Sequence, residues 1–447
     1  MDGRQHSEDA RKLIHILFGG CAFLLRYLAW HEAALVAIGA LAFNLAIMPR
    51  VGAAIYRPAD RTRRYLHGIV LYPVAVLGLI LLFPYRLDIA AAAWGILALG
   101  DGMASVVGRR WGRRRIPWNR DKSIAGSVAL FLCGGAAGAF LAWWCRPAVI
   151  PPPFLWFSLG VPFVAALVAA FAETIPVRLD DNILVPGSAA AVLWVFSLMS
   201  EDLIRSFVMD AGMQVLIAAA VNGTAAWIGF RLRTVTIAGA VAGAVIGTTI
   251  AAATSWNGWM LLLMTFLVAS ISSRLGVHRK TLLGIAEERG GQRAAGNAVA
   301  NTGLAAVAAL MAVLTNSRDA AMVAFAAALA AAGSDTIASE IGKAWGHRTY
   351  LITNLQAVRP GTSGAISLEG TAAGFVGALL LGAAAVALSV IPSPALFPVV
   401  AGATLGAFVE SFLGATLEAR GILNNDLLNF INTAVAATTA VLLMGTA

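Results

Sequence analysis

The chain has 447 residues, 12% of them charged and 59% apolar, with 32 Lys and Arg against 23 Asp and Glu for a formal net charge of +9. Its mean hydropathy is +0.79. A soluble domain has about 25% charged and about 45–50% apolar residues, so this composition excludes an ordinary globular enzyme, a disordered chain and a disulfide scaffold. It points to an all-α, polytopic membrane protein. Cys21, Cys133 and Cys145 fall in apolar runs without metal-ligand spacing. The opening MDGRQHSEDARK is acidic as well as basic, so no cleavable signal peptide is expected from it.

In chain order, apolar runs of about 20 residues, the length that crosses a hydrocarbon core of about 30 Å, predict spans at 13–30, 33–49, 66–83, 89–108, 123–145, 154–175 and 183–199. A second group follows at 211–229, 235–254, 258–272, 297–315, 320–342, 370–391, 394–415 and 427–446. With the N-terminus inside, only Arg26, Arg86, Arg146, Arg205 and Arg318 fall on the outer side, and every other Lys and Arg falls inside. A miscounted span would mix the two sets from that point onward. The positive-inside rule therefore supports fifteen spans, with the N-terminus and the charged loops in the cytoplasm, in a bacterial inner membrane or its equivalent.

The pattern Asp-x-x-Ala-Ser-x-x-Gly occurs as Asp101–Gly108 and again as Asp335–Gly342. A basic loop follows each copy, then Ser123-Ile-Ala-Gly126-Ser127 or Ser367-Leu-Glu-Gly370-Thr371. Two spans beyond each Asp stands a glutamate, Glu173 or Glu410, followed by Asp180-Asp181-Asn182 or Asn424-Asn425-Asp426. The expected architecture is two parallel seven-helix units joined by a return helix, divided as 1–205, 206–234 and 235–447. Parallel repeats are also a transporter feature, which keeps transport as an alternative.

Asp101, Glu173, Asp335, Glu340 and Glu410 lie within or at the inner end of a span. Carboxylates there are costly unless paired or hydrated, so their default reading is functional; the structural alternative is a carboxylate at a helix end reaching the interface, or one paired with a loop Arg. The loop 109–122 carries seven cations and runs into Lys122-Ser123-Ile-Ala-Gly126-Ser127. Fixed charge, hydroxyls and free backbone N–H groups are what a triphosphate needs, while a topogenic or lipid-binding loop is the plainer reading. Asp101 on one side and Asp180 or Asp181 on the other favour the former, because such oxygens suit Mg²⁺. Neither a Walker A sequence nor Gly-x-Gly-x-x-Gly is present, so a nucleotide site is of another kind. Arg11, Lys12 and His15 enter the first span from the same side, and Arg57, Arg61, Arg63, Arg64 and His67 add to a cationic basin. In the second unit, Arg293, Asn297 and Asn301 share one helix face at steps of four. Pro360-Gly361-Thr362-Ser363-Gly364 is a small-residue loop whose amides can form an anion nest.

These residues resemble two families. Arg11-Lys12-x-x-His15, Gly100-Asp101-Gly-x-Ala104-x-x-x-Gly108, Lys122-Ser123-x-x-Gly126-Ser127 and Glu173-x-x-Pro176 with Asp180-Asp181-Asn182 resemble the CTP-dependent polyprenol kinases of the dolichol kinase and phytol kinase group, over roughly residues 10–200. Arg293-x-x-x-Asn297-x-x-x-Asn301, Asp335-Thr336-x-Ala338-Ser339-Glu340-x-Gly342, Pro360–Gly364, Glu410-Ser411 and Asn425-Asp426-x-x-Asn429 are similar to the integral-membrane family that includes phytyl-phosphate kinase, over about 235–446. Arg359, before Pro360, departs from the smaller or apolar residue expected there.

The resemblance implies that the first unit transfers the γ-phosphoryl of CTP to an isoprenoid alcohol such as phytol, geranylgeraniol or farnesol. The second would convert the isoprenyl monophosphate to the diphosphate with CTP or another nucleoside triphosphate. Mg²⁺ would be held by Asp101 with Asp180 or Asp181, and by Asp335, Glu410 and Asp426. Asp101, Lys122, Asp335 and Glu340 would act in catalysis, Asp101 as metal ligand or as base. Arg11, Lys12, Ser123, Gly126 and Ser127 would bind phosphate in the first unit, and Arg293, Asn297, Gly361, Thr362, Ser363 and Gly364 in the second. A CTP-dependent cytidylyltransferase, a transporter with intramembrane carboxylates and a non-catalytic scaffold are the rival classes. No nucleic-acid partner is expected, and the sequence assigns no oligomeric state.

Overall fold

The structure, a computed structural model, describes residues 12–47, 67–285 and 292–445. Arg11, Arg57, Arg61, Arg63 and Arg64 lie outside them, and of His67 only the backbone is described. The chain divides into two compact units, Met1–Leu198 and Met199–Ala447.

In the first unit α1 (12–26) closes as a 3-10 turn over Gly19–Arg26, followed by α2 (Trp30–Ala46), α3 (His67–Leu82) and α4 (Leu87–Trp111). A short hairpin, β1 (Arg115–Ile116) and β2 (Asn119–Ser123), leads to α5 (Ile124–Ala148), α6 (Leu155–Glu173) and α7 (Asp181–Ser197). The second unit opens with α8 (Glu201–Asp210), α9 (Gly212–Arg231), α10 (Ile237–Arg274) and α11 (Val277–Leu282). It continues through α12 (Ala295–Leu314), α13 (Arg318–Trp345), β3 (Thr349–Leu351), β4 (Ala365–Ser367), α14 (Leu368–Ala387), α15 (Ser393–Glu418) and α16 (Asn425–Gly445). Two small antiparallel hairpins thus interrupt a chain expected to be purely helical.

Ten helices among the described residues are long and apolar enough to cross a membrane, and α2 and Val70–Leu82 are shorter apolar helices. The order from α4 to α7 (helix, hairpin, helix, helix, helix) recurs from α13 to α16. α4 and α13 are each the most buried span of their unit, with 72% of the apolar window enclosed. Asp101 and Asp335 stand on these two central helices.

The sequence divides 235–254 from 258–272, whereas the backbone joins them as α10 through a non-helical Ser255 at φ 60°. Asn222 resolves the difference. Its Oδ1 accepts from the Trp259 indole at 2.9 Å, and a Cβ at Gly247 would stand 2.1 Å from the same oxygen. A straight helix would separate residues 247 and 259 by about 18 Å, so α10 is two helical arms folded at Ser255.

The repeated junction between central helix and hairpin has one local cause. Ser123 accepts from Gly126 N at 3.2 Å, and Ser367 from Gly370 N at 3.1 Å, each capping the helix it precedes. A Cβ at Gly126 would stand 3.0 Å from the Ala104 carbonyl oxygen, and one at Gly370 2.7 Å from that of Ala338. Glycine at these positions lets α5 lie against α4, and α14 against α13.

Candidate functional site

In the first unit the site is built on α4. The helix widens into a π turn over Ile96–Asp101, a distortion that recurs at functional positions, and the Asp101 side chain is 3% exposed. α1 approaches at Gly102, where a Cβ would stand 2.5 Å from the Ile16 side chain. That approach brings Lys12 Nζ to 2.6 Å and His15 Nε2 to 3.6 Å from Asp101 Oδ2. His15 Nε2 also lies 3.2 Å from the Leu97 carbonyl of the π turn.

The hairpin delivers a second lysine. Ile124 N donates to Arg114 O at 3.1 Å, and the Trp118 indole donates to Thr174 Oγ1 at 3.2 Å, tying the strands to α5 and to the end of α6. The arginines at 109, 110, 113, 114, 115 and 120 are exposed, whereas Lys122 turns inward. Its Nζ donates to Glu173 Oε1 at 2.5 Å and to Asp181 Oδ2 at 2.9 Å. Burial works against the Lys122 charge, but the Glu173 and Asp181 carboxylates outweigh it and push its pKa above the usual lysine range. Carboxylate oxygens of Asp101, Glu173 and Asp181 lie within 4.8 Å of one another. Three hard oxygen donors converging in this way fit Mg²⁺.

The geometry sorts the Asx run. Asp180 Oδ1 accepts from Asn182 N at 2.9 Å and Asn182 Nδ2 at 2.6 Å, so Asp180 caps α7 while Asp181 faces the cluster. Ser123 spends its oxygen on the helix cap, Gly126 fills the contact with α4, and Ser127 Oγ donates to Ser123 O at 3.4 Å. Of the expected phosphate ligands, Ser123 and Gly126 therefore build the junction between α4 and α5, and Ser127 bonds back within the first turn of α5. Glu173, flagged as an intramembrane acid but not among the expected metal ligands, is a full member of the carboxylate group.

In the second unit a cavity of about 410 Å³ is lined by Arg293, Asn297, Asn301, Asp335, Lys343, residues 360–364, Glu410, Glu418 and Asn429. Arg293 donates to Asn297 Oδ1 at 3.0 Å, and Asn301 Nδ2 to Asn297 O at 2.9 Å, so the ladder read at steps of four lies on one wall. Asp335 and Glu410 both line it, with their carboxyl groups in direct contact. Two carboxylates so placed repel unless a cation or a proton sits between them. Gly361 (φ 86°) and Gly364 (φ 75°) take left-handed backbone that the loop requires. The loop is moored by Ser363, whose hydroxyl donates to Glu418 and lies 3.1 Å from the Gly414 carbonyl oxygen of a π turn over Gly414–Glu418. Thr362 Oγ1 donates to Arg359 O at 2.8 Å.

Two expected residues stand elsewhere. Glu340, expected in catalysis, is outside the cavity lining and 1% exposed, ion-paired with Lys280 and, at 2.9 Å, with Lys343. It faces from α13 toward α11, because five residues on from Asp335 the helix has turned by about 140°. Asp426, expected on a metal, also lies off the lining; its Oδ2 sits against Gly296 at the start of α12. Sequence reading missed Lys280 and Glu418. Both partners are distant in sequence, and neither pair carries a fixed spacing that would have announced it.

Fold and site together define a multi-pass integral membrane protein whose two units each gather carboxylates and cations beside a central helix. Residues 220–437 match the family described as Integral membrane protein DUF92. The chain is 39% identical over 210 residues to the uncharacterized membrane protein sll0875 of Synechocystis sp., covering 45% of this chain and 80% of that protein. It belongs to this integral membrane family. It is also 30% identical over 198 residues to probable phytol kinase 2, chloroplastic, of Glycine max (43% of this chain, 66% of that protein). To the CTP-dependent diacylglycerol kinase 1 of Schizosaccharomyces pombe it is 27% identical over 210 residues (42% and 93%). No solved structure matches the chain.

Proposed function

We propose that this protein is a CTP-dependent lipid kinase with two active units. The first phosphorylates an isoprenoid alcohol of the phytol, geranylgeraniol or farnesol kind, and the second phosphorylates the resulting monophosphate to the diphosphate. The observation that carries the reading is the cluster of Asp101, Glu173 and Asp181 bound by Lys12 and Lys122. Similarity to proteins named as phytol kinase and as CTP-dependent diacylglycerol kinase supports it. Asp101, Glu173 and Asp181 would hold Mg²⁺ in the first unit, and Asp335 with Glu410 in the second; the ion neutralises charge on the triphosphate. Fifteen crossings, counting both arms of α10, with a cytoplasmic N-terminus put both sites on the nucleotide side.

Phosphoryl transfer depends on positioning and charge neutralisation. The oxygen of the lipid hydroxyl bonds the γ-phosphorus as the bond to the bridging oxygen of CTP breaks. CDP leaves, and the hydroxyl proton passes to a carboxylate of the cluster. Lys12 and Lys122 hold the carboxylates in place and offer positive charge to the phosphates. In the second unit Arg293 and the amides of 360–364 grip the phosphate that the acceptor already carries.

The test is thin-layer analysis of lipid products from purified wild type, Asp101→Asn and Asp335→Asn given phytol and CTP labelled at the α or γ position. The expected products are diphosphate, none, and accumulated monophosphate, all labelled from the γ position. α-Label in the lipid would make the protein a cytidylyltransferase, and no nucleotide-dependent product would leave the transport reading. Diphosphate from Asp335→Asn would sink the division of labour.

A further inference from the structure

Lys280 is a charged residue buried in a membrane protein and unused by the mechanism above. Its side chain is 3% exposed, and its Nζ donates to Ser273 O at 2.8 Å and to Glu340. The other oxygen of Glu340 accepts from Lys343 Nζ at 2.9 Å. Lys343 is 28% exposed and lines the cavity that holds Asp335. Two ammonium groups on one carboxylate leave a net positive charge, and Lys343 is the end that faces the cavity.

The repeat explains why the second unit needs this. Aligning Asp335 with Asp101 and Ser367 with Ser123 sets Ile366 opposite Lys122 and Glu340 opposite Val106. The strand lysine that neutralises the first site has no counterpart in the second. We propose that Lys280 is a positioning residue that supplies the replacement. It occupies Glu340 as a counter-ion, so Lys343 is not held by Glu340 alone and directs its charge into the cavity, beside Asp335, for the phosphate of the acceptor lipid. Without Lys280, Glu340 and Lys343 form a neutral pair and Lys343 is drawn back from the cavity.

This rests on the reading of the second unit as a lipid-phosphate kinase. The experiment measures kcat and KM for diphosphate formation from supplied farnesyl monophosphate and CTP, using the purified full chain in detergent. Lys343→Met and Lys280→Met are each expected to raise KM for the monophosphate about 10- to 100-fold, with kcat changed less. Lys280→Arg keeps KM near wild type. The double variant Lys280→Met/Lys343→Met is no worse than Lys343→Met, because both losses act through one ammonium. Lys280→Met/Glu340→Gln removes both buried charges and leaves Lys343 cationic, so it recovers KM even where Lys280→Met alone fails to fold.

A loss in that last variant as large as in Lys343→Met overturns the proposal, as does additivity in the lysine double variant or a wild-type KM in Lys280→Met. Absence of diphosphate from the wild type is a different result. It overturns the lipid-phosphate reading of the cavity, and this proposal falls with it.

Discussion

Replacing Lys122 with Met keeps the apolar stem and deletes an ammonium that touches both Glu173 and Asp181. A hydrogen bond to a charged group contributes about 1.5–3 kcal/mol, so two bound the effect at about 3–6 kcal/mol. The Lys122 side chain is 26% exposed, and solvent screening brings the figure toward the lower end, about 3 kcal/mol. Losing one preorganised donor from a site of developing charge slows catalysis about 10²–10³-fold, the same size of effect. The assay is phosphorylation of phytol with γ-labelled CTP, followed by a second reaction supplied with the lipid monophosphate. On the proposed reading the first step falls by that factor. The second survives, because Ile366 stands at the matching position and no cation is lost there. A first-step loss of less than about tenfold would refute the claim that Lys122 carries charge to the phosphates.

Asp180→Ala removes a helix cap and costs about 1 kcal/mol of stability, read as a lower melting temperature with the first step largely kept, whereas Asp181→Asn abolishes that step. Gly370→Ala sets a Cβ 2.7 Å from the Ala338 carbonyl oxygen and 3.1 Å from Gly342 Cα. It separates α13 from α14 at a cost of about 1–3 kcal/mol, seen by thermal unfolding in detergent. Glu173 and Asp181 push the Lys122 pKa above the ordinary lysine value of about 10.4, so its stabilisation is complete below that value and is lost as pH rises through the higher native one. The melting-temperature advantage of wild type over Lys122→Met therefore begins to shrink only as pH rises past about 10.4, and equal melting temperatures for the two at pH 7 refute the pairing.

The helical segments were legible because membrane spans are set by length and apolarity, which are local. Asp101 and Asp335 were legible because a carboxylate in an apolar run is costly enough to stand out, and the repeat doubled the signal. The hairpins were not read, since β1 and β2 carry Arg115, Arg120 and Lys122 and show no apolar alternation. The structural roles of Ser123 and Gly126 were not legible for a related reason. A serine three residues before a glycine reads equally as a phosphate loop or as a helix cap with a close contact, and only the position of Ala104 decides between them. Glu340 drew attention as an intramembrane acid, yet its partner Lys280 lies sixty residues earlier, beyond the reach of any spacing rule.

The difference between the hairpins follows from the charge each proposed acceptor brings. In the first unit the strands turn tightly at Pro117 and Trp118, and β2 points Lys122 at the carboxylates. A neutral alcohol adds no charge, so on the proposed reading Lys12, Lys122 and a bound Mg²⁺ would have the triphosphate alone to neutralise. In the second unit residues 352–364 separate β3 from β4, Ile366 replaces the lysine, and the loop carries Gly361–Gly364 to the cavity wall, where Ser363 moors it to Glu418. A lipid monophosphate brings up to two further negative charges into the same space. Arg293, the loop amides and Lys343 then act from three different walls, where a single strand lysine would have met one phosphate and left the other unpaired. On the proposed reading, one scaffold serves two acceptors by moving its cations while the central carboxylate stays on the same helix.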